Sequence, residues 1–302
     1  MEMTTLQQKI SALLPAVKVA FNEPMSRHTS FRIGGPAEVM AFPKDPEELK
    51  QLLELSRQEG CPCAILGAGT NILAPDAGIS GVVICLKDAL DGLSQIDSTH
   101  IRVAAGVTMS RAAVYAAGLE LGGLEFAHGI PGTVGGAVYM NAGAYGGEIA
   151  MVCESVDIMT KDGEICTVSG SDMGFSYRHS RLEDEGGIVL SAVFALTPRP
   201  GDEIRAQMQE LMAKRKASQP LELPSAGSAF KRPVGGFAAA LIDQAGLKGF
   251  RVGDAAVSEK HAGFVVNLGS ATSAEVLALL EQVSDKVWDL NGIRLEPEVR
   301  IW

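Results

Sequence analysis

The chain has 302 residues, more than one hydrophobic core usually serves, so two or three domains are expected. Apolar residues make up 46% and charged residues 21%, an ordinary globular profile, and no apolar run approaches the ~18 residues that a membrane span needs. A net charge of −10 argues against a general nucleic-acid binder.

The opening Met-Glu-Met-Thr-Thr-Leu-Gln-Gln-Lys lacks the basic and then apolar pattern of a signal peptide, which sets the expectation of a cytoplasmic protein. Residues 5–14 read as a short amphipathic helix ended by Pro15. Cys61-Pro62-Cys63 admits a metal or redox reading, but no second cysteine pair or nearby histidine supports it, and plain reduced thiols are favoured; no metal is expected. Pro46-Glu47-Glu48 opens a stronger helix, with proline in the first turn, acids at its positive end and a stripe of Leu49, Leu52, Leu53 and Leu55. Residues 63–66 and 81–86 are strand-like, with the glycine turn Gly67-Ala68-Gly69-Thr70-Asn71 after the first. That turn lacks the third glycine and the following helix of a dinucleotide-binding Rossmann unit. A strand at 101–107 and a helix at 110–121 precede a long glycine-rich segment. Residues 153–168 and 187–196 are strand-like, the first broken by a Lys161-Asp162-Gly163 turn. Pro198-Arg199-Pro200-Gly201-Asp202 reads as a linker. Beyond it come a charged helix at 202–217, an extended 220–224 and a helix at 236–246 capped by Gly246. Short strands near 250–252, 255–258 and 264–267, a helix at 272–290 with Thr272 or Ser273 at its start, and a closing strand 293–302 complete the series.

Four stretches carry candidate chemistry. Residues 127–147 hold seven glycines with Val, Ile, Met and Tyr rather than the polar residues of a flexible linker. Successive backbone N–H groups there can cradle a phosphate or pyrophosphate; the alternative is a tight irregular crossover. Residues 175–182 set Arg178, Arg181, His179 and Tyr177 between apolar strands. This is either a carboxylate clamp or a surface hairpin. In 224–233 small residues place Ser228 in a tight turn before Phe230, Lys231 and Arg232. Ser228 is open to reading as nucleophile, proton donor or turn former, without the G-x-S-x-G elbow of a hydrolase. In 294–300 an alternating strand would put Glu296, Glu298 and Arg300 on one face, solvated by default, with one inward carboxylate a candidate acid.

Taken in order, His28-Thr29-Ser30-Phe31-Arg32-Ile33-Gly34-Gly35-Pro36-Ala37, the turn 67–73, the loop 129–147, Tyr177-Arg178-His179-Ser180, residues 224–233, Val257-Ser258-Glu259-Lys260-His261-Ala262-Gly263-Phe264 and Leu295-Glu296-Pro297-Glu298-Val299 resemble one family over nearly the whole chain. It is the UDP-N-acetylenolpyruvoylglucosamine reductase family, flavoenzymes of peptidoglycan precursor synthesis, in its shorter subtype.

The resemblance implies an α+β fold: a two-part FAD-binding domain of the PCMH/vanillyl-alcohol-oxidase type and an α+β substrate-binding domain. The expected divisions are 1–86 and 87–200 for FAD and 201–298 for substrate, with the tail 299–302 returning to the first part. Carried over residue by residue, FAD would be held by Gly67, Ala68, Gly69, Thr70 and Asn71, together with Ile130, Pro131, Gly132, Thr133, Gly135, Gly136, Asn141, Ala142 and Gly143. Arg178 takes the place of the family's catalytic arginine, Ser228 of its proton-donating serine and Glu298 of its catalytic glutamate. Tyr177, Lys231 and His261 fall on the substrate side. The implied reaction uses NADPH to reduce FAD non-covalently bound to the chain. Hydride then passes to the methylene carbon of UDP-N-acetylglucosamine enolpyruvate, Arg178 and Glu298 stabilise the enolate, and Ser228 delivers a proton to give UDP-N-acetylmuramate. No nucleic acid, membrane or obligatory protein partner is implied. The chain departs from the family pattern at Thr70, where serine is usual, and at Ser218 and Ala240, where lysines are frequent. The competing readings are another FAD oxidoreductase of the same architecture and a nucleotide-sugar sensor without catalysis.

Overall fold

Asp45 begins the first long helix. Its carboxylate accepts the Glu48 N–H at 2.8 Å, Pro46 supplies a preset first turn, and Leu49, Leu52 and Leu55 are buried along one face of Pro46–Gln58. Thr108 does the same for Met109–Gly118, whose buried face is Ala112, Ala113, Ala116 and Ala117. The computed structural model describes residues 3–302. They divide into two compact units, one of residues 3–21, 39–68 and 81–214 and the other of residues 22–38, 69–80 and 215–302.

The first unit contains most of a four-stranded sheet in the order Lys18–Pro24, Pro36–Phe42, Ile79–Cys85, Cys63–Leu66, with the last pair parallel. Its second sheet has five antiparallel strands in the order Ile165–Ser169, Cys153–Met159, Ile188–Ala195, His100–Ala104, Leu93–Gln95. The central strand Ile188–Ala195 is buried nearly throughout, because the helix Val134–Tyr139 packs on it. The edge strand Ile165–Ser169 is mostly exposed.

The second unit has an antiparallel sheet in the order Ser225–Ser228, Phe264–Asn267, Ala255–Val257, Arg251–Val252. Against it lies the helix Ser273–Asn291, which opens with a capping box. Thr272 accepts the Glu275 N–H, and Glu275 accepts the Thr272 N–H. Val276, Leu279, Leu280, Val283 and Val287 form its buried stripe, in one core with Phe31, Ile33 and Leu73. Arg300–Ile301 pairs parallel with Ile72–Leu73.

The helices at 46, 110, 202, 236 and 272 and most strands lie where the sequence places them. The expected strand 293–302 is reduced to Arg300–Ile301 and a single bridge between Phe230 and Pro297. Pro297 has no N–H to continue a ladder. The expected extended run 220–224 is a turn, closed by the Leu223 N–H on the Pro220 carbonyl at 3.2 Å. The strands Lys18–Pro24 and Pro36–Phe42 and the helix Val134–Tyr139 were not anticipated.

Candidate active site

In the first unit the two glycine motifs meet. A Cβ on Gly67 would lie 2.6 Å from the Thr133 Oγ1, so a larger residue there would have to displace that hydroxyl. Thr133 is buried and caps Val134–Tyr139, its hydroxyl accepting the Gly136 N–H at 3.4 Å. The Val134 N–H binds the Val107 carbonyl at 2.8 Å and the Gly135 N–H the Ala105 carbonyl at 2.9 Å. The Val134 and Gly135 N–H groups therefore fix the glycine segment to the chain just after the strand His100–Ala104, and the Gly136 N–H is taken up by the helix cap. The N–H groups of residues 134–136 are thus all engaged within the protein.

Arg178 stands at the tip of a two-residue hairpin bridged by Ser176 and His179. Its φ of +56° is left-handed. The hairpin is fastened to the glycine segment twice. The Asn141 amide donates to the Ser176 carbonyl at 3.0 Å while its oxygen accepts the Ala150 N–H at 2.9 Å, and the Ser180 hydroxyl donates to the Tyr139 carbonyl at 2.8 Å. Asn141 and Ser180 are both buried. The Asn141 side chain thus braces the arginine turn. The half-buried Arg178 guanidinium lies 5.1 Å from the centre of the Tyr177 ring and reaches the Gly143 carbonyl at 3.5 Å.

In the second unit Gly69 turns with φ +61°, and a Cβ there would overlap the His28 carbonyl. Asn71 donates its amide to the Glu298 carbonyl at 3.1 Å, and its own carbonyl accepts the Arg300 N–H at 2.9 Å. The segments of Ser228 and Glu298 lie side by side. The Ala229 carbonyl accepts the Glu298 N–H at 2.9 Å, and the Lys231 N–H donates to the Glu296 carbonyl at 2.9 Å. After sixty-odd intervening residues of sheet and helix, residues 229 and 298 thus run side by side; Ser228 and Glu298 are both half-buried, and Ala229, Phe230 and Val299 are buried. The register holds in place of the long strand expected there.

Lys231 forms an exposed pair with Glu296 at 3.4 Å. His261 is half-buried, its ring edge-on to Phe264 and its Nδ1 accepting the Gly263 N–H at 3.1 Å. Burial pushes its pKa down, with the Lys248 charge adding to the effect. A neutral ring accepting at Nδ1 carries its proton on Nε2, so His261 offers a donor. Cys61 and Cys63 are free thiols. No helix among the described residues is long and apolar enough to cross a membrane.

Two family models match: an FAD binding domain over residues 37–169, and the C-terminal domain of UDP-N-acetylenolpyruvoylglucosamine reductase over residues 219–302. The curated UDP-N-acetylenolpyruvoylglucosamine reductase of Agathobacter rectalis is 49% identical, over 98% of both chains. The chain belongs to the UDP-N-acetylenolpyruvoylglucosamine reductase family. The member of this family from Latilactobacillus sakei is 48% identical over 97% of both chains. The crystal structure of the Thermus caldophilus reductase superposes with a TM-score of 0.81 at 38% identity, covering 95% of this chain and 98% of the other. The α+β class and the flavin-dependent oxidoreductase assignment expected from the motifs therefore stand. The motifs did not single out Thr133 as a cap, or Ser30 and Ser180 as braces. A buried hydroxyl leaves no periodic signal, and its partner is far away in the chain.

Proposed function

We propose that the chain reduces UDP-N-acetylglucosamine enolpyruvate to UDP-N-acetylmuramate with NADPH as hydride donor, in the cytoplasmic synthesis of peptidoglycan precursors. The observation that carries this reading is the Ala229–Glu298 backbone pairing, which sets a hydroxyl and a carboxyl on adjacent segments of one unit. The residues present fit FAD: the Gly67 backbone passes Thr133 where a side chain would have to displace its hydroxyl, and Gly69 turns in the left-handed region. We assign residues 67–71, with 130–133, 135–136 and 141–143, to FAD, and the lobes 1–86 and 87–200 to its two sides, leaving 201–298 for substrate.

When bound, FAD supplies hydride transfer between nicotinamide and an activated alkene carbon. The remaining chemistry belongs to side chains. Addition of hydride to the methylene carbon leaves negative charge spread over the adjacent carbon and its carboxylate. Arg178, always charged and able to bind both carboxylate oxygens, meets that charge. The Glu298 carboxyl is assigned as the second group that meets the same developing charge. The Ser228 hydroxyl transfers its proton to the carbon bearing the ether, and water restores it. Hydride and proton together saturate the double bond, and the lactyl ether results. Tyr177, Lys231 and the His261 Nε2–H are assigned to the substrate's uridine diphosphate and sugar.

The test follows NADPH oxidation by the flavin-loaded protein with and without the enolpyruvyl substrate. Rapid oxidation that requires the substrate and yields UDP-N-acetylmuramate is expected. Equal rates without it would point to another flavin oxidoreductase of this fold.

A further inference from the structure

The strand Ser225–Ser228 does not pair evenly with its neighbour. Ser225 faces Val266 and Ser228 faces Phe264, so three steps on one strand meet two on the other. The extra residue is absorbed at Gly227, where φ is +80°. Such a bulge re-aims the side chain that follows it. The side chain that follows is Ser228.

A bulge is a soft place in a ladder, and here it has a brace. The Ser30 hydroxyl donates to the Ser225 carbonyl at 2.6 Å, across 195 positions of sequence. The Ser30 N–H donates to the Gly69 carbonyl at 3.0 Å. Ser30 therefore ties the first residue of the bulged strand to the glycine turn. The neighbouring Thr29 is buried, its hydroxyl on the Ile33 carbonyl at 2.9 Å, which fixes the loop that carries Ser30. On the other side of the bulge the strand is held by the Ala229 N–H on the Gly263 carbonyl at 2.8 Å. The Ser225 end is also paired with Val266, and the Asn267 N–H donates to the Pro224 carbonyl at 2.9 Å, while the Ser30 hydroxyl ties the Ser225 carbonyl to the loop that precedes the glycine turn.

We propose that Ser30 is a positioning residue for Ser228, holding the bulge in the one arrangement that aims the Ser228 hydroxyl at the substrate carbon. This rests on the reading of Ser228 as proton donor. A displacement of the order of 1 Å in a group that must meet a reacting atom is enough to cost about 10²-fold in rate.

The experiment compares Ser30→Ala, Ser30→Thr, Ser228→Ala and the double variant Ser30→Ala/Ser228→Ala, all as flavin-loaded protein. Stopped-flow absorbance follows flavin reduction by NADPH and its reoxidation by the enolpyruvyl substrate separately. Ser30→Ala is expected to slow reoxidation by about 10-fold to 10²-fold while reduction changes by less than about twofold. Ser30→Thr, which keeps the hydroxyl, restores most of the rate. In the Ser228→Ala background the Ser30→Ala change adds nothing, because the group it positions is gone. A readout independent of activity is amide hydrogen exchange over residues 225–229, expected to rise at least about 10-fold in Ser30→Ala and to stay low in Ser30→Thr.

Wild-type reoxidation in Ser30→Ala with slow reoxidation in Ser228→Ala overturns the Ser30 assignment alone. So does equal slowing of both half-reactions, an additive effect in the double variant, or unchanged exchange over 225–229. Wild-type reoxidation in Ser228→Ala overturns the proton-donor reading, and the Ser30 assignment with it.

Discussion

Arg178 holds a left-handed backbone angle that a β-carbon resists, at the tip of a turn braced by Asn141 and Ser180. Strain of this kind persists where surrounding contacts over-determine it. Arg178→Lys keeps the charge and loses the planar fork, so turnover with the enolpyruvyl substrate should fall at least about 10-fold while flavin content is unchanged; steady-state kinetics and the flavin-to-protein absorbance ratio measure both. Gly67→Ala should do the opposite. Its Cβ meets the Thr133 hydroxyl, so the variant should purify with little flavin, as the visible spectrum would report. His261, whose pKa burial pushes down, should titrate below the usual ~6.5 in an NMR pH series; a midpoint at that value would place its ring in water. At this scale the sequence spoke through residue types with special chemistry. Arg178, Ser228 and Glu298 could be singled out through the motifs around them. The braces Ser30 and Ser180 were not, because a hydroxyl that serves a distant carbonyl looks like any other serine.

The helix Ser273–Asn291 shows what an element needs beyond its own sequence. Its capping box was readable from Thr272 and Glu275. A second cap was not. Asp76, 197 positions away, accepts the Ser273 N–H at 2.8 Å, the Ser273 hydroxyl at 2.8 Å and the Ala274 N–H at 3.1 Å. Burial acts to raise the Asp76 pKa, but these donors outweigh it and hold the carboxyl below its usual range. A depressed folded pKa gives stability that is present above the unfolded value of ~3.9 and is lost as pH falls through the folded one. Asp76→Ala should therefore lower the thermal midpoint at pH 7 by the equivalent of about 0.5–2 kcal/mol, the usual worth of a helix cap. The difference from wild type should shrink below pH 4, which calorimetry at a series of pH values would show. The helix 134–139 escaped the sequence reading for a related reason. Its glycines argue against helix, and only Thr133 and the packing on Ile188–Ala195 override them.

Across the molecule, each unit has its own hydrophobic core, and the candidate residues are shared out between them. Arg178, Gly67 and Ala68 belong to the first; Gly69, Thr70, Asn71, Ser228 and Glu298 belong to the second. Hydrophobic periodicity reports which face of an element is buried, not which sheet the element joins, so the passages of residues 22–38 and 69–80 into the second unit were invisible in it. A ligand that binds only the folded chain stabilises it by mass action. FAD added to flavin-stripped protein at about 100 times its Kd should raise stability by about 2.7 kcal/mol, read as a shift in thermal midpoint that Gly67→Ala lacks.

The same interleaving sets a timetable for synthesis. Residues 22–38 and 69–80 leave the ribosome early, yet their core partners begin at residue 215 and the pairing of Ile72–Leu73 with Arg300–Ile301 waits for the last residues of all. At ~5–20 residues per second, the stretch from 80 to 215 alone takes roughly 7 to 27 s. During that interval Phe31, Ile33 and Leu73 have no core to enter. Nascent chains arrested short of residue 215 should be cut by protease within 22–38 and 69–80, and chains released at full length should not.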